Sequence, residues 1–175
     1  MDSSCNNVLG SREEFDQVCS QIRRDVDFDS MFNSILLLEI RDSVLVKERL
    51  GSLGYDAMIG HLTMIIESHL DEDKIASYYD DGLFIVALHN VKSYEDVTSF
   101  AKAVTGDFDR EYAAENIGLI AAASTCDHNP KNGYRCAFDK AFEALEELRG
   151  SDSRFRYVGE SKEDMTWQLS TASQN

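Results

Sequence analysis

The stretch that decides the fold runs from Ile75 to Leu88 and reads Ile-Ala-Ser-Tyr-Tyr-Asp-Asp-Gly-Leu-Phe-Ile-Val-Ala-Leu. Two runs rich in β-branched, aromatic and aliphatic residues, Ile75 to Tyr79 and Leu83 to Leu88, flank Asp80-Asp81-Gly82. Asp-Gly between such runs indicates a β-hairpin, because these residues tolerate positive φ. The second run is apolar throughout, which is typical of a strand covered on both faces. The stretch therefore predicts a tight hairpin at the centre of a covered sheet.

Composition and charge limit the classes of protein. The chain has 175 residues, 43% of them hydrophobic, and a single proline, which predicts one globular domain. Its 17 basic and 32 acidic residues give a net charge of -15, which disfavours nucleic acids and anionic membrane surfaces as partners. The apolar runs are too short for a membrane span, and the first residues lack the basic start of a signal peptide. We expect a cytosolic protein.

The cysteines and histidines do not form a recognisable metal or catalytic pattern. There is no Cys-x-x-Cys pair, and no two histidines share a predicted helix face with a carboxylate, so we expect buried or idle thiols and no cofactor. The residues concerned are Cys5, Cys19, Cys126, Cys136, His61, His69, His89 and His128.

The hydrophobic pattern predicts an α/β chain with a mixed sheet, a central antiparallel hairpin and helices on both faces. Helices are expected at 12–24, 44–50, 55–70, from Ser93 toward Tyr112 and at 134–149; strands are expected at 35–40, 75–79, 83–88 and 117–123, with an edge strand at 154–158. We assign residues 1–10 to a flexible segment, 11–158 to the domain and 159–175 to a linker. In that linker, Ser161 to Asp164 could cap a helix that carries Met165, Trp167 and Leu169.

This order of elements resembles the GGDEF domain of diguanylate cyclases, which join two GTP molecules into cyclic di-GMP. The family signature, Gly-Gly-Asp/Glu-Glu-Phe, falls on residues 80–84, where only Phe84 matches. The resemblance depends on the surrounding pattern across about residues 8 to 158. Its other matches are the strand-end carboxylate Glu39, Gly51 and Asp56 of a Gly-His-x-x-Gly-Asp motif, Ala137-x-Asp139, and Arg12-x-x-Phe15.

The resemblance implies several altered site residues. The family holds magnesium with two carboxylates, and the corresponding positions are Glu39 and Gly82, of which the glycine has no side chain. Asp80 and Asp81 place negative charge where the family has glycines beside the nucleotide. Lys47 replaces the guanine-reading Asn, whereas Asp56 is retained.

Two further implied sites are also changed. Glu146 falls where the family has a phosphate-binding Lys, and the inhibitory product site, Arg-x-x-Asp, is replaced by residues from Asp71 to Lys74. We therefore expect no binding of cyclic di-GMP.

The same residues also have explanations that do not involve a nucleotide. Glu39 could pair with Arg41 or Lys47, and Asp56 could cap or pair locally. Asp80, Asp81 and Gly82 are good turn formers without a ligand, although Glu39, Asp80 and Asp81 could also share a divalent cation. Glu143, Glu146 and Glu147 are typical of a solvated helix face.

The sequence thus predicts a degenerate GGDEF domain, not an enzyme, that acts as a regulatory or interaction module in cyclic di-GMP signalling. The stretch from Lys47 to Gly51 and the Asp-Asp turn are similar to degenerate domains of pilus-regulating proteins in which an EAL domain follows. The expected partners are a protein, an adjacent EAL domain or a second copy. The alternative is a GTP-binding allosteric domain that controls an EAL domain, but the acidic turn predicts that GTP does not raise the melting temperature.

Overall fold

The computed structural model describes residues 13, 32–80, 82–91, 93–126, 135–159 and 165–167. Within these ranges the strands are β1 (Phe32–Ile40), β2 (Lys74–Asp80), β3 (Leu83–Val91), β4 (Leu119–Cys126), β5 (Phe155–Val158) and β6 (Met165–Trp167). The helices are α1 (Ser43–Ser68), α2 (Tyr94–Tyr112) and α3 (Arg135–Arg149), and a short 3-10 turn, Ala113–Glu115, follows α2. The helix predicted at 12–24 lies outside the described residues, apart from Glu13, which is helical.

The strands form one mixed sheet in the order β2-β3-β1-β4-β5-β6. All neighbouring pairs are antiparallel except β4 and β5, which are parallel. The predicted α/β fold class, the mixed sheet and the antiparallel hairpin are confirmed. The inner arm of the hairpin, β3, lies between β2 and β1, and β2 forms one edge of the sheet.

Both faces of the sheet are buried, and the central strands divide their side chains between them. In β1, Leu36, Leu38 and Ile40 belong to one core cluster, whereas Ile35 and Leu37 belong to the other. Helices α1 and α2 cover the first face, and α3 covers the second. Strand β3 alternates in the same way, which explains why its sequence is apolar at each position from Leu83 to Leu88.

Helix α1 is interrupted at Gly51, whose φ of 76° and ψ of 170° are not helical. Only glycine adopts this conformation readily, because it lacks a Cβ atom. The predicted pair of helices, 44–50 closed by Gly51 and then 55–70, is therefore confirmed. Across the described residues, each helix is too short or too polar to span a bilayer.

The C-terminal part of the sheet differs from the prediction. Met165–Trp167 is a strand that pairs antiparallel with β5, not part of a linker helix, and Leu169 lies outside the described residues. As a result, the strand predicted as an edge, β5, has a neighbour on each side. Pairing of the open backbone edge of β5 outweighs a weak helical spacing of three residues.

The turn between β2 and β3 depends on Gly82. This residue has a φ of 84°, and its amide N–H donates a hydrogen bond of 3.0 Å to the hydroxyl of Tyr78. A Cβ atom at this position would lie 2.6 Å from the hydroxyl of Tyr55 and 3.5 Å from the Cβ of Ser43. The turn therefore requires glycine for its backbone conformation and for its contact with α1.

We predict that Gly82→Ala lowers the free energy of unfolding by at least ~1 kcal/mol, because alanine is strained at positive φ and would also displace Tyr55. Gly106 is the matched control: it lies inside α2 with no atom within 4 Å of an added Cβ. Gly106→Ala should raise stability by about 0.5–1 kcal/mol. Urea denaturation of both variants measures the difference, and equal effects would contradict this account of the turn.

Candidate functional site

The candidate site lies at the C-terminal end of β1, where Glu39 leaves the buried sheet. Glu39 is opposite Leu83 of β3 and Ile120 of β4, and it is 7% exposed. A carboxylate this deeply buried needs charged or hydrogen-bonding partners, since removal of its charge from water is costly. Its partner decides what the site can bind.

That partner is Arg149, in the last turn of α3. Its Nε donates to Glu39 Oε1 at 2.8 Å and its NH2 group donates to Oε2 at 2.6 Å, which is a bidentate ion pair. These hydrogen bonds raise the pKa of Arg149, so its guanidinium stays charged. The guanidinium also lies 5.7 Å from the centre of the Phe142 ring.

The predicted partners of Glu39, Arg41 and Lys47, were wrong. Arg41 donates to the carbonyl oxygens of Ser151, at 2.8 Å, and of Ser153, and so ties the end of β1 to the loop after α3. Lys47 is exposed, with its Nζ 5.7 Å from the centre of the Tyr55 ring. The sheet order brings α3 to Glu39, whereas Arg41 points to the neighbouring loop.

A cleft of about 500 Å³ opens above this ion pair. One wall is the first turn of α1, and the other is formed by the hairpin and α3. The lining residues are Glu39, Ile40, Asp42, Ser43, Val44, Leu45, Tyr79, Leu83, Phe142 and Arg149. Within this lining the formal charges are two carboxylates and one guanidinium, and the guanidinium is already bonded to one of the carboxylates.

The hairpin turn closes against the same region. The amide of Ile40 donates to the carbonyl of Gly82 at 3.2 Å, so the turn and the end of β1 are directly joined. The structure thus brings together Glu39 and Gly82, two of the predicted site residues. Lys47, a third, is linked to them by Tyr55: its Nζ lies over the Tyr55 ring, and the Tyr55 hydroxyl lies beside Gly82. Asp56 follows Tyr55 and is exposed on α1.

The two acidic turn residues cannot be placed in this geometry. Asp81 and the side chain of Asp80 lie outside the described residues. Among the residues that are described, no three His, Cys, Asp or Glu side chains gather as potential metal ligands. Glu39, with both oxygens on Arg149, and Gly82, without a side chain, do not fit the two-carboxylate magnesium site that the resemblance implies.

The residues of the altered inhibitory site lie at the start of β2 and bind each other. Lys74 Nζ donates to Asp71 Oδ2 at 2.7 Å, and this hydrogen bond lowers the pKa of Asp71. Asp71 also accepts from the amide of Asp73 at 2.9 Å. This part of the chain is therefore an ion-paired turn at the other end of the hairpin from Gly82.

Sequence reasoning missed Arg149 and the two tyrosines at the turn. A signal for Arg149 was present, because a cation in the last turn of a helix is favourable and its neighbours Glu146 and Glu147 are acidic. Its pairing with Glu39 spans 110 residues of sequence, so it could not be inferred from local pattern.

Comparison with solved structures identifies the fold as that of GGDEF domains. The GGDEF domain of DgcB from Caulobacter crescentus, solved with c-di-GMP, is similar with a TM-score of 0.72 and 14% identity over 90% of this chain and 96% of that chain. The diguanylate cyclase SiaD from Pseudomonas aeruginosa, solved with its activator SiaC, gives 0.72 and 14% over 90% of this chain and 60% of that chain. No protein-family model and no curated protein matches the sequence.

An active GGEEF domain of a diguanylate cyclase from Vibrio cholerae is also similar, with a TM-score of 0.61 and 16% identity over 88% of this chain and 99% of that chain. These matches contradict the sequence-based prediction that the chain is not an enzyme, since it has the fold on which diguanylate cyclases are built. The prediction was wrong because it equated changed residues at one turn with loss of catalysis. The recognition of a GGDEF-like fold is confirmed.

We predict that Arg149→Ala lowers the free energy of unfolding by about 1–3 kcal/mol, because Glu39, whose side chain is 9% exposed, loses both hydrogen bonds. The matched control is Arg110→Ala, since Arg110 is 74% exposed and pairs with Asp107 one helical turn away. Its expected cost is within about 0.5 kcal/mol. Both are measured by chemical denaturation at neutral pH.

A second variant separates the ion pair from simple packing. Glu39→Gln combined with Arg149→Ala should recover part of the loss, because a neutral amide is less costly to leave unpaired than a carboxylate. If Arg149→Ala costs no more than Arg110→Ala, the ion pair does not stabilise the site.

Proposed function

We propose that this GGDEF-fold chain is a regulatory or interaction module in cyclic di-GMP signalling, and that it works through a protein contact at the rim of the strand-end cleft. The observation that carries the proposal is the exposure of Val44 and Leu45, which are 70% and 64% accessible on the first turn of α1. Both residues line the cleft beside the Glu39–Arg149 ion pair. We call these two residues the apolar lip.

The side chains of the apolar lip are exposed, whereas those at the floor of the cleft are ion-paired. At the floor, the guanidinium of Arg149 and the carboxylate of Glu39 satisfy each other. At the lip, two branched apolar side chains face water next to each other, at positions where a solvated helix would carry polar residues. Burial of both side chains against a partner would gain roughly 1.5–3 kcal/mol each, which is a useful fraction of a protein–protein binding energy.

The comparisons support a protein partner by analogy of fold. SiaD was solved with its activator, so at least one GGDEF-fold protein is bound by a separate regulatory protein. For this chain we propose an adjacent EAL domain as the partner. A second copy of the chain would be the other occupant of an apolar lip, and it would be detected as a concentration-dependent dimer.

The proposal is tested in bacteria that make cyclic di-GMP, by mass spectrometry of the nucleotide after production of the full chain. We expect the unmodified chain to shift the cellular level, and we expect the double variant Val44→Asp/Leu45→Asp to lose this effect. The reason is that two buried, unpaired carboxylates would oppose the contact. Both positions are exposed, so the melting temperature should stay nearly unchanged.

Met64 provides the matched control, because it is an exposed apolar residue, 65% accessible, on the second half of α1 and outside the cleft lining. Met64→Asp should behave like the unmodified chain. The proposal fails if the unmodified chain has no effect, if the double variant keeps the effect, or if Met64→Asp abolishes it equally.

The second candidate is a GTP-binding allosteric domain, and the shape of the cleft favours it. A cleft of about 500 Å³ is large enough for part of a nucleotide, and Arg149 at its base is 43% exposed, so that its guanidinium can be reached from solvent. Binding of a phosphate there requires Arg149 to exchange one oxygen partner for another, which would release Glu39.

A thermal-shift measurement with millimolar GTP and Mg²⁺ distinguishes the two candidates. The primary proposal predicts no shift, because the cleft lining carries two carboxylates and its guanidinium is already paired. A rise of several degrees, or about 1–2 kcal/mol for a ligand well above its Kd, would support the second candidate, provided that ATP with Mg²⁺ gives no such rise.

A further inference from the structure

The ring of His89, near the end of β3, is buried. The residue is 8% exposed, and neither Nδ1 nor Nε2 has a partner among the described residues. A neutral imidazole has one N–H donor and one acceptor nitrogen, and burial of both without partners is costly. A buried polar group left in this state points to a role other than packing.

The imidazole lines a second cleft, of about 480 Å³, between the hairpin and α2. The cleft lies at the far end of β3 from Leu83 and the strand-end site, so it does not depend on the function proposed there. Its lining residues are His69, Asp73, Lys74, Leu88, His89, Val91, Asp96, Ser99, Phe100 and Ala103.

Charged groups face the imidazole from three elements. Before β2, the carbonyl of Asp73 accepts the His89 backbone N–H at 2.7 Å, which brings the Asp73 carboxylate close. Lys74 is held by Asp71 at 2.7 Å, and from the end of α1 His69 Nε2 lies 2.7 Å from Asp107 of α2. The remaining ionisable group is Asp96, on the first turn of α2.

Burial lowers the pKa of His89 from its ordinary value of 6.5, and the charge of Asp73 opposes this only in part. The folded chain therefore keeps His89 neutral at pH values at which the unfolded chain already binds a proton. Above pH 6.5 the protonation of His89 does not affect stability, because the ring is neutral in both states, and stability falls as the pH drops below that value.

We propose that His89 is a pH-sensitive switch that opens the cleft between the hairpin and α2 on acidification. On uptake of a proton from solvent, the imidazolium carries two N–H donors, and at its buried position neither donates to an acceptor among the described residues. The Asp73 carboxylate attracts it, and the movement withdraws the side chain from its place against α2. Only this end of the hairpin loosens, because the remainder of β3 is held between β2 and β1.

The first test needs no substitution. Titration of the histidine ring resonances of the full chain by NMR should show that His89 takes up its proton at lower pH than a histidine in an unstructured peptide. Amide hydrogen exchange at His89 and the start of β2, corrected for the intrinsic rate, should accelerate as the pH falls below 6.5. Each unit of difference in pKa between the two states corresponds to about a tenfold change in the opening equilibrium.

Two variants test whether the acceleration of hydrogen exchange depends on His89. His89→Phe should remove the acceleration, whereas His61→Gln should retain it, since His61 Nδ1 has a partner, the hydroxyl of Tyr112, at 3.0 Å. The proposal is overturned if the His89 ring titrates at or above pH 6.5, or if exchange in His89→Phe accelerates as it does in the unmodified chain. If His89→Phe does not fold, the titration of the unmodified chain still decides.

Discussion

The burial of β1 and β3 on both faces is the constraint on which the rest of the structure depends. Each side chain from Ile35 to Leu38 is at most 1% exposed, and alternate residues enter opposite cores. A strand in this position cannot carry a functional polar group along its middle, because neither face offers water or a partner. Chemistry is therefore confined to the strand ends, where Glu39 and His89 lie.

The two ends of the sheet handle their buried polar groups in different ways. At one end Arg149 supplies two matched donors to the carboxylate of Glu39, and the cost of burial is offset by the ion pair. At the other end the ring of His89 has no such donor or acceptor within the described part of the chain, and it avoids the cost of a buried charge by remaining neutral. In the first arrangement the buried group is paired by hydrogen bonds, and in the second it is sensitive to pH.

The fold is kept although the sequence of the hairpin turn differs from the family signature. The strand order and the helices on both faces are those of GGDEF domains at 14% identity to DgcB, although the sequence at the turn retains little of the family signature. The fold depends on the two cores, and Gly82 meets one of them through its contact with Tyr55. The departures of this chain from the family signature at the turn are therefore compatible with the fold, and they are weak evidence about catalysis.

Local sequence determined most of the secondary structure. Gly82, the continuous apolar run after it and Gly51 each act through their own backbone conformation or burial, so the hairpin, the doubly covered strand and the break in α1 were predicted correctly. Helix α2 and α3 followed from their spacing of apolar residues. These features depend on neighbours within a few residues.

Tertiary structure decided the remaining contacts, because these contacts depend on which distant elements the sheet order places together. The sequence could not show that Arg149 would reach Glu39 across 110 residues, or that Met165–Trp167 would pair with β5 as a strand. The same applies to the burial of His89, which follows from how the hairpin packs on α2. Local pattern reports the periodicity of a segment, whereas the pairing of buried charges and strand edges is fixed only when the whole core has formed.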